Sequence, residues 1–256
     1  MQNENKNPNV TTDEEVVASN VTIKTKSSKT PFSVLESYKS IRIHLVSILA
    51  KTNGKIVAIS SPNASEGKST TAVNIAITLS QLNKKVVIID ADTRRATVHK
   101  KLKLENSLGC LDIIANDTPI DDAIHHYSSY LDVITSGTFS SNPSELFSSS
   151  AFDKMLSELS SKYDYVIIDT PPINLISDAL VISQKCDGLL LVLRAGVTSI
   201  DSFKQTIAST NELNIFVLGV VINGSDAAPE GLYKYRKYGK YGRYGYGKYK
   251  KYGYYK

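Results

Sequence analysis

The stretch SPNASEGKSTT (61–71) holds the triplet Gly67, Lys68 and Ser69 between an apolar run, KIVAIS (55–60), and a helical pattern over 69–82. Strand, loop and helix in that order make a phosphate cradle. Backbone amides and the helix N-terminus face the anion, Lys68 adds a point charge, and the Ser69 hydroxyl can ligate a divalent cation. Glu66 and Thr70 flank the triplet and belong to the same predicted binding loop. One position departs from the GxxxxGK[ST] pattern: Pro62 stands where the first glycine is usual.

Acidic residues support the same chemistry. VVIIDADTRR (86–95) puts Asp90 and Asp92 at the carboxyl end of one apolar run, and YVIIDTPP (165–172) puts Asp169 at the end of another. Ligands of open parallel sheets bind at the carboxyl ends of strands, so these carboxylates should converge on the Gly-Lys-Ser loop as a nucleotide and Mg²⁺ site. A lone strand-ending Asp is often only a helix cap. Three beside such a loop argue against that explanation.

The elements that must position these groups are legible as periodicity. Leu35, Tyr38, Ile41, Leu45 and Ile48 recur at helical spacing and predict an amphipathic helix from about Ser33. Strand signals follow at 55–60, 85–90, 130–137, 165–172, 188–196 and 215–224, with helices from 69, Ser144, about Asp178 and about Ser199, and a broken helical and loop stretch up to about 130. Most strand runs are continuous Val, Ile and Leu without polar alternation, which marks strands covered on both faces. The expected fold is α/β: a doubly wound, mainly parallel sheet of about seven strands with helices on both faces, of the P-loop NTPase type. The expected organisation is a flexible arm over 1–30, with a short strand signal at Val21–Ile23, one domain over 31–228, and a disordered tail over 229–256.

That tail has its own composition. Ten of the chain's 15 tyrosines lie in 233–256: Tyr233, Tyr235, Tyr238, Tyr241, Tyr244, Tyr246, Tyr249, Tyr252, Tyr254 and Tyr255. Residues 231–256 also carry nine Lys or Arg and no acid, so a net charge of +5 divides into a strongly basic tail and a body of about −4. Gly and Lys between the tyrosines prevent any hydrophobic period, which predicts a mobile segment. The two cysteines, Cys110 and Cys186, sit beside apolar residues without CxxC spacing and read as buried free thiols. No apolar run approaches the roughly 18–20 residues that span a bilayer, and MQNENKNPN lacks the apolar core of a signal peptide, so a cytoplasmic location is expected.

Taken together, EGKSTTAVNIA, VVIIDADTRR, YDYVIIDTPP, NPSELFSS (142–149), LLLVLRAGVTS and the terminal tyrosines resemble the bacterial tyrosine kinases that regulate capsule and exopolysaccharide synthesis, over roughly 31–256. The resemblance implies ATP as phosphoryl donor. Lys68 would hold the β and γ phosphates, Ser69, Asp92 and Asp169 the Mg²⁺, and Thr70 the α phosphate, with Arg194 and Asn223 near the nucleotide. Asp90 would orient and deprotonate the attacking tyrosine hydroxyl, and the ten tail tyrosines would be the phosphoacceptors, entering a neighbour's site. It also implies a membrane-anchored activator that recruits the protein to the inner face of the membrane, a cognate tyrosine phosphatase, and a homo-oligomeric ring. The ring's contact motif, Glu-x-x-Arg-x-x-Arg in the family, stands here as Glu36, Lys39 and Arg42; an amphipathic helix with solvated charges is the alternative for those residues. The family often has Pro-Gly where Ala64 and Ser65 stand, so the loop cannot lean on glycine there, though Asn63 tolerates unusual φ.

Two other readings compete. A positioning or chromosome-partition ATPase would share the fold and aspartates, but its extra loop lysine is replaced by Asn63, and a tyrosine-rich tail is foreign to it. The basic aromatic tail could instead grip nucleic acid or anionic lipid. With the kinase reading, no nucleic-acid partner is expected.

Overall fold

The computed structural model describes residues 32–138 and 142–224. The predicted arm, the ten tail tyrosines and residues 225–228 lie outside the described residues. The chain divides into two units, Met1–Asn223 and Gly224–Lys256, and the first holds all the helices and strands of the described residues.

Helix α1 (Phe32–Thr52) leads into β1 (Ile56–Ser60), α2 (Lys68–Ser80) and β2 (Val86–Asp90). Three short helices, α3 (Val98–Leu102), α4 (Cys110–Asn116) and α5 (Ile120–Ala123), precede the hairpin strands β3 (Ile124–Ser128) and β4 (Leu131–Ile134). Then come α6 (Pro143–Ser148), α7 (Ser150–Lys162), β5 (Tyr165–Asp169), α8 (Asp178–Gln184), β6 (Gly188–Arg194), α9 (Ile200–Glu212) and β7 (Val217–Asn223).

The seven strands form one sheet in the order β3-β4-β2-β5-β1-β6-β7, parallel throughout except for the β3–β4 pair. Alternate residues of each central strand face opposite layers. Val86 and Ile88 join Val57, Ile59, Val133 and Ile167 in a core under α1 and α2; Val87 and Ile89 join Val166 and Ile168 under α4, α7 and α8. Ala58, Leu189 and Leu191 continue the second layer beneath α8 and α9. Covering both faces removes nearly every Val, Ile and Leu of these strands from water, each contributing about 1.5–3 kcal/mol of hydrophobic stabilisation. That accounts for uninterrupted apolar runs in the sequence.

Two elements differ from expectation. The stretch before residue 130 ends in β3, an antiparallel edge strand that pairs Ile124 with Ile134 and carries an irregularity between His126 and Ser128. Its sequence, IHHYS, has no apolar run because it lies at the sheet edge, so continuous hydrophobicity could not reveal it. The helix expected from Ser144 is two helices, broken where Ser149 adopts extended backbone (φ −74°, ψ 160°).

Candidate active site

The sheet order sets the site. β5 lies between β1 and β2, and the registers pair Asp169 with Ile59 on one side and with Asp90 on the other. All three strands run parallel, so the loop leaving β1 and the aspartates ending β2 and β5 emerge at one end. Asp92 follows two residues beyond β2.

Loop 61–67 is held in shape by its own residues and by distant strands. Gly67 caps α2 in the left-handed region at φ 103°, and a Cβ there would lie 2.0 Å from Asn223 Nδ2. Only glycine fits that close approach. Ser65 is also left-handed, at φ 64°. The unusual φ therefore falls on Ser65 instead of Asn63, and Asn63 takes a hydrogen-bonding role.

Glu66 is fully buried. Its carboxylate accepts from the Asn63 backbone N–H (2.9 Å), the Asn63 side-chain amide (3.1 Å) and the Thr198 hydroxyl (2.7 Å). Of the residues expected to bind the cofactor, Glu66 thus directs its side chain into the loop's own framework. Asn223 Nδ2 donates to the Glu66 carbonyl (3.0 Å), and Arg194 Nη1 donates to the Ser65 carbonyl (3.1 Å). Both were expected near the nucleotide, and both meet the loop that would hold it.

Lys68 stands at the centre of the acidic cluster. Its ammonium donates to Asp92 Oδ2 at 2.6 Å and to the Ser69 hydroxyl at 3.3 Å, and lies 4.0 Å from Asp169 Oδ1. Burial alone would lower the lysine's pKa; the charges of Asp169, Asp92 and Asp90 outweigh it and raise the pKa above the ordinary value. Asp169 is pushed up to about 6, chiefly by burial, with Lys68 and the Ser69 hydroxyl opposing the rise. Asp90 is fully buried and pushed up to about 8, first by burial and then by the charge of Asp169. Its Oδ2 accepts the backbone N–H groups of Thr97 (3.0 Å) and Val98 (2.9 Å), while its Oδ1 has no hydrogen-bond partner among the described residues.

These uncompensated carboxylates are what a cation site needs. Both Asp169 oxygens and Asp90 Oδ1 are buried without a hydrogen-bond donor of good geometry among the described residues. Among the described residues no group of three or more His, Cys, Asp or Glu closes into a metal cage. Ser69, Asp92 and Asp169 lie around Lys68, and their hydroxyl and carboxylate oxygens are donor types that Mg²⁺ accepts alongside water and phosphate.

Sequence reasoning missed several supporting groups. Thr198 reaches Glu66 from 132 residues away, and Ser202 donates to Asn63 Oδ1 (3.0 Å); no spacing rule signals either. Lys101 Nζ donates to the Thr70 hydroxyl at 2.8 Å. Asp178, buried at the start of α8, accepts from Arg94 Nε (3.4 Å) and from the Ser144 hydroxyl, which ties the segment after β2 to the NPSELFSS segment. Cys110 and Cys186 are both free as expected, but only Cys110 is fully buried while Cys186 is half-buried just past the end of α8; desolvation still pushes both thiols up, away from reactivity.

Glu36, Lys39 and Arg42 do not join the site. Lys39 pairs with Glu36 at 2.9 Å along α1, and Arg42 Nη1 donates to the Thr78 carbonyl near the end of α2 at 2.7 Å. Within one chain the Arg42 guanidinium is a fastener between α1 and α2, leaving its buried Nε without a partner among the described residues.

A doubly wound sheet with this loop after its central strand, a loop lysine facing strand-ending aspartates, and a glycine seated under the loop define a P-loop nucleotide-binding protein. The comparisons narrow the class. Residues 54–215 match the family described as AAA domain. Bacillus subtilis tyrosine-protein kinase YwqD is 35% identical over 201 residues, which cover 78% of this chain and 85% of that protein. The kinase domain of Escherichia coli tyrosine kinase ETK superposes with a TM-score of 0.74 at 27% identity, covering 81% of this chain and 85% of that one. A plasmid partition protein from Borrelia burgdorferi is less alike, with a TM-score of 0.51 at 25% identity over 72% of this chain and 87% of its own. The chain belongs to the bacterial tyrosine kinases, and it is a protein-tyrosine kinase of a nucleotide-binding P-loop family.

Proposed function

We propose that the protein transfers the γ-phosphoryl group of ATP, with Mg²⁺, to the ten tyrosines between Tyr233 and Tyr255, one chain presenting its tail to another chain's site. The observation that carries this reading is the arrangement around Lys68. A phosphate-loop lysine bridges Asp92 and approaches Asp169 while the neighbouring Asp90 keeps one oxygen free, in a chain whose own C-terminal stretch is dense in tyrosine.

Bound Mg²⁺ would neutralise the charge that builds on the β and γ phosphates. The chain's residues do the rest. Amides of residues 66–70 and the start of α2 orient the phosphates, and the Lys68 ammonium turns from Asp92 to the γ-phosphate. In the transfer, the bond from the γ-phosphorus to its bridging oxygen breaks, a bond forms to the tyrosine oxygen, and ADP leaves. The phenolic proton passes to Asp90 Oδ1, the oxygen without a partner. A phenol with a pKa near 10 is mostly protonated at neutral pH, so a carboxylate within hydrogen-bond reach is needed to take its proton, and a cation bound beside Asp90 would favour the ionised form that does so.

A basic tail suits a carboxylate-lined cleft. Each added phosphate brings about −1.5 to −2 charges, so five or six would offset its nine cations and weaken its hold on a neighbouring subunit. By its family likeness the protein acts in the control of capsule or exopolysaccharide synthesis and export. A membrane-anchored activator would recruit it to the inner face of the membrane, and a tyrosine phosphatase would reverse the modification. Among the described residues no helix is long and apolar enough to cross a membrane. Contacts through Glu36, Lys39 and Arg42 would build the oligomer. In that case Arg42 exchanges Thr78 for a partner's group.

The test is mass spectrometry of the tail after incubation with Mg-ATP and the cytoplasmic segment of the activator, beside Lys68→Met and Asp90→Asn. Phosphotyrosine within 233–255 that disappears in both variants is expected. ATP hydrolysis without tyrosine phosphate would refute the reading and favour the partition-type alternative.

A further inference from the structure

Among the described residues Lys101 is the one basic side chain bonded to the phosphate loop beyond Lys68 and Arg194, and its electrostatic situation is unlike theirs. Arg194 serves a loop carbonyl. Lys68 is committed to Asp92 at 2.6 Å and shadowed by Asp169. Lys101 reaches from α3 to the second residue after Lys68, and its ammonium's only hydrogen-bond partner among the described residues is the neutral Thr70 hydroxyl at 2.8 Å. Among those residues it forms no ion pair, because the nearby acids already surround Lys68.

Lys101 is an exposed residue, yet its ammonium is not simply solvated. Partial burial lowers its pKa, Asp169 acts on it in the opposite direction, and Lys68 repels it, so it shares the field of the active site. A partly desolvated cation that must share Asp169 with Lys68, and that forms no ion pair among the described residues, is poorly compensated in the empty protein. An anion entering between the two lysines relieves it. Lys68 must leave Asp92 to meet a phosphate, whereas Lys101 has no ion pair to break among the described residues.

We propose that Lys101 is a second phosphate-binding cation of this site, which holds the non-transferred phosphates of the nucleotide through the Thr70 end of the loop while Lys68 serves the transferred one. The assignment rests on the nucleotide reading of the loop and adds a residue to it. Because its target is present in substrate and product alike, Lys101 contributes equally to ATP and ADP affinity. It lowers KM and leaves kcat almost unchanged, as uniform binding does.

The experiment is isothermal titration calorimetry of the full chain with Mg-ADP and Mg-ATP, for the wild type, Lys101→Met, Lys101→Arg, Lys68→Met and, as a control for surface charge, the exposed neighbour Lys100→Met. Loss of one charge-assisted contact predicts weakening of about 5- to 30-fold for both nucleotides in Lys101→Met. Lys101→Arg should recover most of it, and Lys100→Met should stay within about 2-fold of wild type. Thermal midpoints within a few degrees of wild type will show that the Lys101 variants are folded. Binding by Lys101→Met within about 2-fold of wild type would overturn the assignment, as would an equal loss in Lys100→Met. If Lys68→Met then still loses affinity, the loop's nucleotide reading stands and only the role of Lys101 falls. A wild type that binds neither nucleotide would sink both.

Discussion

Replacing Asp90 by Asn should make the nucleotide-free protein more stable while abolishing tyrosine phosphorylation. Asp90 is fully buried, its Oδ1 has no partner among the described residues, and burial plus the adjacent Asp169 push it up to about 8. An unfolded aspartate titrates near 3.9. A folded pKa above the unfolded one means that the native state binds the extra proton. Stability is therefore full below about pH 4 and is lost as pH rises towards 8. Carried through alone, that difference would cost about 5 kcal/mol at pH 8. Two effects reduce it: the Asp90–Asp169 pair shares its protons, and an Asn oxygen is a weaker acceptor than a carboxylate for the Thr97 and Val98 amides, by about 1 kcal/mol. A net gain on the order of 2–3 kcal/mol at pH 8 remains. For a domain of this size that is about 4–10 °C in thermal midpoint. Differential scanning calorimetry of wild type and Asp90→Asn from pH 5 to 8.5 should show the gap widening with pH and falling below about 1 kcal/mol near pH 5. A variant less stable than wild type at pH 8, or a gap independent of pH, would refute the picture of an uncompensated buried carboxylate.

Three further outcomes are expected at the loop and its supports. Ser65→Gly relieves a left-handed serine at φ 64° and should add about 0.5–1 kcal/mol to unfolding free energy in denaturant titrations, without loss of nucleotide affinity. Gly67→Ala forces a Cβ to 2.0 Å from Asn223 Nδ2 at a φ of 103°; nucleotide binding should fall at least about 100-fold by calorimetry, against a stability cost of about 1–3 kcal/mol. Glu66→Gln puts an amide N–H₂ among three donors, so one of the bonds from Asn63 or Thr198 is lost. A destabilisation of about 1–3 kcal/mol and a raised KM for ATP are expected, and unchanged steady-state kinetics would contradict the loop-framework role.

The sequence by itself determined the layers and the end of the sheet at which chemistry happens. Continuous runs such as VVIID and YVIID can be satisfied only by strands covered on both faces, and a Gly-Lys-Ser loop between strand and helix has one well-known use. Local pattern is enough for both, since each is written within about a dozen consecutive residues. The tertiary structure decided what depends on residues far apart in the chain. Nothing in IHHYS announces an edge strand, because an edge is defined by its neighbours. Nothing in Thr198, Ser202 or Lys101 marks them as partners of the loop, since their meeting with Glu66, Asn63 and Thr70 follows from strand order and from where α3 and α9 start. The same holds for charge: Asp90 and Asp92 are alike in sequence, two residues apart. Only the packing makes one a buried carboxylate with a free oxygen and the other the partner of Lys68.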